Sequence, residues 1–255
     1  MPRWARVSYA GRECFGTIEN DTIALHTGDM FVNPRPTGEL IPRSAAQLRT
    51  PTTPSKMVAL VDNYHALVAK LSHAIPAEPL YFLKANSSFL ADGESIRTPQ
   101  SYRGKVLFEG ELGIVIGKRC RAVDEADAGG HIFGYTCIND VTAVDVLNKD
   151  PGFAQWTRAK SFDTFGVFGP VIATDVDPAT LVVRTLLNDQ ERQNYPVSDA
   201  IFAPARLVSL ISRDLTLEAG DVIACGTSIG VGSMKPGSTV SVVIDGIGSL
   251  TNQFD

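Results

Sequence analysis

Two glutamates one residue apart, Glu109 and Glu111, stand in an otherwise apolar run, Lys105-Val-Leu-Phe-Glu-Gly-Glu-Leu-Gly-Ile-Val-Ile-Gly117. The run reads as a strand, whose side chains alternate faces. Leu107, Glu109, Glu111, Gly113 and Val115 therefore share one face, with the two carboxylates about 7 Å apart at the backbone. Like charges this close, in apolar surroundings, do not both ionise without a compensating cation. Carboxylate oxygens suit a hard divalent ion, so Mg2+ or Mn2+ is expected, with Ca2+ as a third candidate. The plain alternative is an edge strand with both glutamates in water.

A third carboxylate adds weight to the metal. The segment Phe133-Gly-Tyr-Thr-Cys-Ile-Asn-Asp140 ends a second short apolar strand on an acid. Asp140 is preferred over nearby Asp145 because sites are usually built at strand ends, although an Asp followed by Val-Thr-Ala also suits a helix cap. Lys160 lies in an aromatic, glycine-punctuated stretch, Arg158 to Pro170, read as a loop. A lysine beside a metal can pair with a substrate carboxylate or stabilise an enolate; the alternative is a solvated surface lysine. The stretch Cys225-Gly-Thr-Ser-Ile-Gly-Val-Gly232 follows a strand, but Pro236 and Gly237 forbid a helix after it, which argues against a phosphate-binding loop. Its backbone N–H groups and the Thr227 hydroxyl suit a small carboxylate instead.

The elements that must position these groups are mostly strands. Residues 1 to about 50 give three short strands, with Asn33 to Gly38 read as a loop. The Pro/Thr-rich stretch Thr50 to Pro54 sets a boundary between a small N-terminal β domain, residues 1–52, and a larger domain, 53–255. A strand over 56–60 follows, then a helix marked by the spacing of Tyr64, Leu67, Val68 and Leu71 and ending before Pro76, then a succession of strands. Further helical pattern is confined to 124–131, 142–149 and 198–212. Without regular βα alternation the class is α+β and β-rich.

The bulk numbers exclude several functions. The 255 residues carry a net charge of −5, so no basic footprint points to nucleic acid or an anionic membrane surface. No stretch of about 18 apolar residues is present, and the N-terminus lacks the apolar core of a signal peptide. Four scattered cysteines suit reduced thiols in a cytoplasmic protein, and the histidines show no zinc spacing.

Four segments, in order, resemble the fumarylacetoacetate hydrolase family: Lys105 to Lys118, His131 to Asp145, Arg158 to Ile172 and Asp221 to Leu250. The preceding Tyr81-Phe-Leu-Lys-Ala85 is similar to the family's F-x-K-P segment, with Lys84 at the lysine position. The resemblance implies a β-roll-like catalytic domain, usually homodimeric, with a small N-terminal domain. It implies Glu109, Glu111 and Asp140 as metal ligands and Lys84, Lys160 and Thr227 as substrate-binding residues. It further implies Mg2+- or Mn2+-dependent chemistry on 2-oxo acids or their enols, much of it in aromatic catabolism. The shared logic is chelation of a 2-oxo-carboxylate, which lowers the energy of the enolate.

Two departures bear on the reaction. Family hydrolases often carry N-Y-x-x-H-x-x-E, whose histidine and glutamate handle water. Here Asn63-Tyr64 is followed by Leu67 and Lys70 at those positions, and His65 is displaced by two residues, about 200° around a helix. His65 is the remaining candidate base, with Asp62 three residues before it as a reversed partner. The arginine of N-D-x-x-A-R-D, which commonly grips a substrate carboxylate, is Val144. The leading expectation is a metal-dependent hydrolase or lyase cleaving a C–C bond of a 2-oxo acid such as an acylpyruvate. Isomerisation or decarboxylation on the same scaffold survives loss of the dyad. A non-catalytic metal- and ligand-binding homologue is the third reading.

Overall fold

Short apolar runs separated by Gly, Asn and Pro turns fold into strands that pair mostly with their neighbours. The computed structural model describes residues 2–255. The N-terminal part forms β1 (Arg3–Tyr9), β2 (Arg12–Glu19), β3 (Thr22–Thr27), β4 (Arg35–Pro42) and the short β5 (Gln47–Leu48). Next come β6 (Met57–Val61), α1 (His65–Leu71), β7 (Leu80–Lys84) and β8 (Phe89–Leu90). The central stretch gives β9 (Val106–Phe108), β10 (Gly110–Ile116), α2 (Glu125–Ala128), β11 (Ile132–Asp140), β12 (Thr142–Ala143), α3 (Val144–Leu147) and α4 (Trp156–Lys160). The rest comprises β13 (Gly166–Ala173), β14 (Val182–Leu187), β15 (Gln190–Pro196), α5 (Pro204–Asp214), β16 (Val222–Ala224), β17 (Gly232–Ser233), β18 (Ser238–Ile244) and β19 (Gly248–Phe254).

The strands form a 12-stranded sheet ordered β4-β3-β2-β1-β13-β11-β10-β16-β6-β7, with β5 on β1 and β8 on β13. A four-stranded sheet, β15-β14-β18-β19, and a three-stranded one, β12-β9-β17, complete the β-rich α+β fold. The N-terminal meander continues the large sheet, since β1 pairs antiparallel with β13 through Arg3↔Ala173 and Trp4↔Ile172. Strand alternation divides the core. Leu112, Ile114 and Ile116 of β10 join the larger apolar cluster with Val183, Val242 and Leu207, while Val115 joins a smaller one with Met57, Phe82 and Phe168. Both faces of the central strands are therefore covered, and β10 is buried along its whole length.

Several local expectations change. Asn33 to Gly38 is not wholly loop: Arg35 to Gly38 begin β4, an edge strand where Pro36 forfeits no ladder bond the sheet needs, with a register irregularity opposite Ala24 and His26. The helix expected over 142–149 shrinks to α3, because Thr142 and Ala143 pair with β9. The helix expected over 198–212 begins at Pro204, whose ring suits a first helical position. The one over 124–131 ends as α2 at Ala128, and a 3-10 turn follows.

One buried acid staples β6 to β16. Asp221 accepts hydrogen bonds from Ser55 N–H (2.8 Å), Ser55 Oγ–H (2.7 Å), Lys56 N–H (3.1 Å) and Glu218 N–H (2.8 Å), and pairs with the Lys56 ammonium. Its side chain is wholly buried, so its removal strands several donors at once. Asp221→Ala should cost about 3 kcal/mol, seen as a drop in Tm on the order of 10 °C, and Asp221→Asn, which keeps one acceptor, should cost less. Equal melting temperatures for Asp221→Ala and the unaltered protein would show that the staple carries no weight.

Candidate metal centre

The strand is interrupted at the first of the two glutamates. Sequence alternation placed Glu109 and Glu111 on one continuous strand; instead Glu109 is the joint between β9, in the three-stranded sheet, and β10, in the large sheet. The joint depends on Gly110. A Cβ there would lie 2.0 Å from Thr185 Oγ1, so only glycine lets the backbone pass this close to β14. The neighbouring strand completes the set: Asp140 ends β11, its N–H donates to Glu109 O (2.9 Å), and Asn139 Oδ1 accepts from Glu109 N–H (3.0 Å). Ligand oxygens of Glu109, Glu111 and Asp140 all lie within 4.8 Å of one another.

Two lysines meet this cluster. Lys160 Nζ donates to Glu109 Oε2 and Asp140 Oδ2, each at 2.7 Å, and Lys84 Nζ bonds Asp140 Oδ1 and the Lys160 carbonyl. Lys160 ends the short helix α4 rather than lying in a loop; α4 seats Trp156 against Phe82, with Lys160 Nζ 5.7 Å from the Phe82 ring centre. Lys84 ends β7. Thr142, which the sequence reading did not single out, donates to Glu109 Oε1 at 2.7 Å.

The electrostatics are unbalanced. Burial pushes the Glu111 carboxyl well above the usual carboxylate range, and the charge of Asp140 adds to the push. Burial also disfavours a charged Asp140, but the Lys160 and Lys84 ammoniums outweigh it and hold that carboxyl below the usual range. Lys160 is raised: burial opposes its charge, but Asp140, Glu109 and Glu111 override that cost. Burial pulls Lys84 down despite the attraction of Asp140. Were all five groups ionised, three carboxylates against two ammoniums would leave one negative charge in excess, and Glu111 is the acid that burial drives towards its neutral form. Its Oε2 accepts from Gly226 N–H (2.8 Å), while the buried Oε1 has no partner. An all-oxygen donor set, an excess negative charge and an orphaned carboxylate oxygen fit a hard divalent cation.

The other sequence candidates fall differently. Thr227 is buried beside the cluster, where its hydroxyl donates to Gly110 O (2.9 Å) and accepts from Gln193 Nε2 (2.8 Å), which leaves it one further acceptor position. His65 opens α1 exposed and makes none of the cluster's contacts. Asp62 pairs with His73 Nδ1 (2.8 Å) rather than with His65, because Asp62 precedes the helix in a left-handed conformation and faces its far end. Val144 opens α3, two residues after Thr142. Gln193 was missed because β15 is too polar to show an apolar alternation. A separate cavity of about 520 Å3 bounded by Phe133, Tyr135, Val176 and Pro204 has no charged residue in its lining.

The sequence model described as fumarylacetoacetate (FAA) hydrolase C-terminal matches residues 56–255. The chain belongs to the fumarylacetoacetate hydrolase family. A second model, described as Rv2993c-like N-terminal, matches residues 3–51. Among relatives of the family, oxaloacetate tautomerase YisK of Bacillus subtilis is 35% identical over 214 residues, 79% of this chain and 70% of the relative. A solved 2-hydroxyhepta-2,4-diene-1,7-dioate isomerase from Mycobacterium marinum shares 39% identity and a TM-score of 0.91, covering 100% of this chain and 98% of that one. A maleylpyruvate hydrolase from Sphingobium shares 28% identity and a TM-score of 0.81 over 99% of this chain and 98% of that one. Fumarylacetoacetate hydrolase family membership agrees with the resemblance read from the four motifs.

The metal reading predicts a ligand-dependent rise in stability. At about 100 times its Kd, Mn2+ should stabilise the protein by about 2.7 kcal/mol, read as a higher Tm. Glu111→Gln and Asp140→Asn keep shape but remove charge, and each should abolish that rise. An undiminished rise in both variants would move the metal elsewhere.

Proposed function

We propose that this chain is a divalent-metal-dependent enzyme that interconverts the enol and keto forms of a 2-oxo acid of the oxaloacetate type. The observation that carries the reading is the convergence of Glu109, Glu111 and Asp140, with one buried oxygen unsatisfied, against two lysines. Mg2+ or Mn2+ suits the donor set. A bound divalent cation would polarise the 2-oxo-carboxylate and lower the energy of its enolate. Its two positive charges would turn the fully ionised cluster's net −1 into +1, which would favour an anionic substrate.

The side chains of the site supply the rest. The Lys160 ammonium, fixed between Glu109 and Asp140, presents positive charge where negative charge gathers on the substrate oxygen. Lys84 holds Asp140 from the opposite side and grips the Lys160 backbone, so the lysine and the acid it touches move as one unit. Keto–enol exchange moves one proton between oxygen and carbon and consumes no water. That suits a site whose dyad positions are Leu67 and Lys70 and whose displaced candidate histidine, His65, is exposed. The names of the Bacillus and M. marinum relatives, a tautomerase and an isomerase, support the same class. C–C hydrolysis is the second reading, favoured by the likeness to the Sphingobium hydrolase.

Incubation with the enol of oxaloacetate and with acylpyruvates, plus Mg2+ or Mn2+, separates the readings by mass and by loss of enol absorbance. The expected result is accelerated ketonisation with no fragments. Lys160→Met should slow it by about a hundredfold or more, and His65→Ala should leave it within about twofold. Cleavage fragments would support hydrolysis instead, and binding without turnover would indicate a non-catalytic homologue.

A further inference from the structure

The two glutamates are joined by Gly110, and the groups that hold this glycine lie far away in sequence. Gln193 is 1% exposed and belongs to β15, in the four-stranded sheet, whereas the metal ligands lie on or beside strands of the other two sheets. Its Oε1 accepts from Gly110 N–H at 2.9 Å, and its Nε2 donates to Thr227 Oγ1 at 2.8 Å and Ser228 O at 3.2 Å. Two residues on, and so on the same face of β15, Tyr195 donates its hydroxyl to Gly110 O at 2.6 Å. Adjacent inward side chains of one strand thus bind both polar groups of the glycine between the ligands.

We propose that Gln193, seconded by Tyr195, is a positioning residue that sets the spacing of Glu109 and Glu111 around their cation. The same amide reaches both supports of the pair. One is the Gly110 backbone. The other is the loop at Thr227 and Ser228, whose preceding residue, Gly226, donates its N–H to Glu111 Oε2. Only a side chain that accepts and donates at once can do this. A methionine of similar size offers neither bond and leaves the buried Gly110 N–H without a partner. Groups that orient metal ligands commonly change affinity by about 10- to 100-fold when removed. The proposal rests on the metal-dependent reading above and adds to it the device that fixes ligand geometry.

The test compares Mn2+ affinity, by electron paramagnetic resonance of free Mn2+, and kcat at saturating Mn2+ in the full-length protein and three variants. Gln193→Met should weaken Mn2+ binding by about tenfold or more and lower kcat even at saturation. Tyr195→Phe keeps the ring packed against Tyr64 and loses only the hydroxyl, so it should fold readily and weaken binding several-fold. Arg192→Ala, an exposed side chain on the same strand, should leave both readouts unchanged. A merely structural role would lower the metal-free Tm of Gln193→Met while leaving Mn2+ affinity and saturated kcat untouched in it and in Tyr195→Phe, and that result overturns the proposal alone. Failure of the unaltered protein to bind Mn2+ overturns both this proposal and the functional reading on which it rests.

Discussion

Three carboxylates held within a few ångströms, in a space nearly closed to water, is the constraint around which the rest of the molecule is arranged. Mutual repulsion and lost hydration both oppose it. Lys84 and Lys160 relieve part of the cost, each ending its own element at the cluster. The rest is rigid support: Asn139, Thr142 and Gly226 each donate to or accept from a backbone or side-chain group of the two glutamates. Most buried polar groups are met by opposite charge or a hydrogen-bond partner, and the unmet oxygen of Glu111 fits a site that could hold a cation.

The fold serves this cluster by bringing three sheets to one point. The large sheet supplies β10 and β11, the small sheet supplies the chain up to Glu109, and the four-stranded sheet reaches in with Gln193 and Tyr195. The interruption of the strand at Glu109 lets the carboxylates of Glu109 and Glu111 converge on each other. On an unbroken flat strand, side chains two residues apart stand side by side about 7 Å apart and do not converge.

The acids themselves were legible because carboxylates in apolar strands conflict with burial, and the conflict shows in the local sequence. Glu109, Glu111 and Asp140 all appear that way, and the structure brings their oxygens together. The alternation of β10 and the β-rich class were legible for the same reason: the core is encoded by residue type at a period of two. What could not be read depends on distant partners. Gly110 is required by Thr185, which lies 75 residues on, and nothing near Gly110 signals it. Gln193 hides in a polar strand, where inward and outward positions look alike. The helix carrying Lys160 spans five residues, too few for a helical period, and β4 was obscured by the proline and glycine that an edge strand tolerates. His65 shows the converse, a reactive residue type at a suggestive place that the fold leaves in solvent.

The central claim is that one divalent cation sits among these three acids, and diffraction from Mn2+-soaked crystals tests it most directly. The account predicts a single strong anomalous peak within about 2.0–2.4 Å of an oxygen of each of Glu109, Glu111 and Asp140, with Glu111 Oε1 gaining the partner it lacks. A map with no peak there, the Lys160 ammonium still bridging Glu109 and Asp140 and Glu111 still unpartnered at saturating Mn2+, would contradict it.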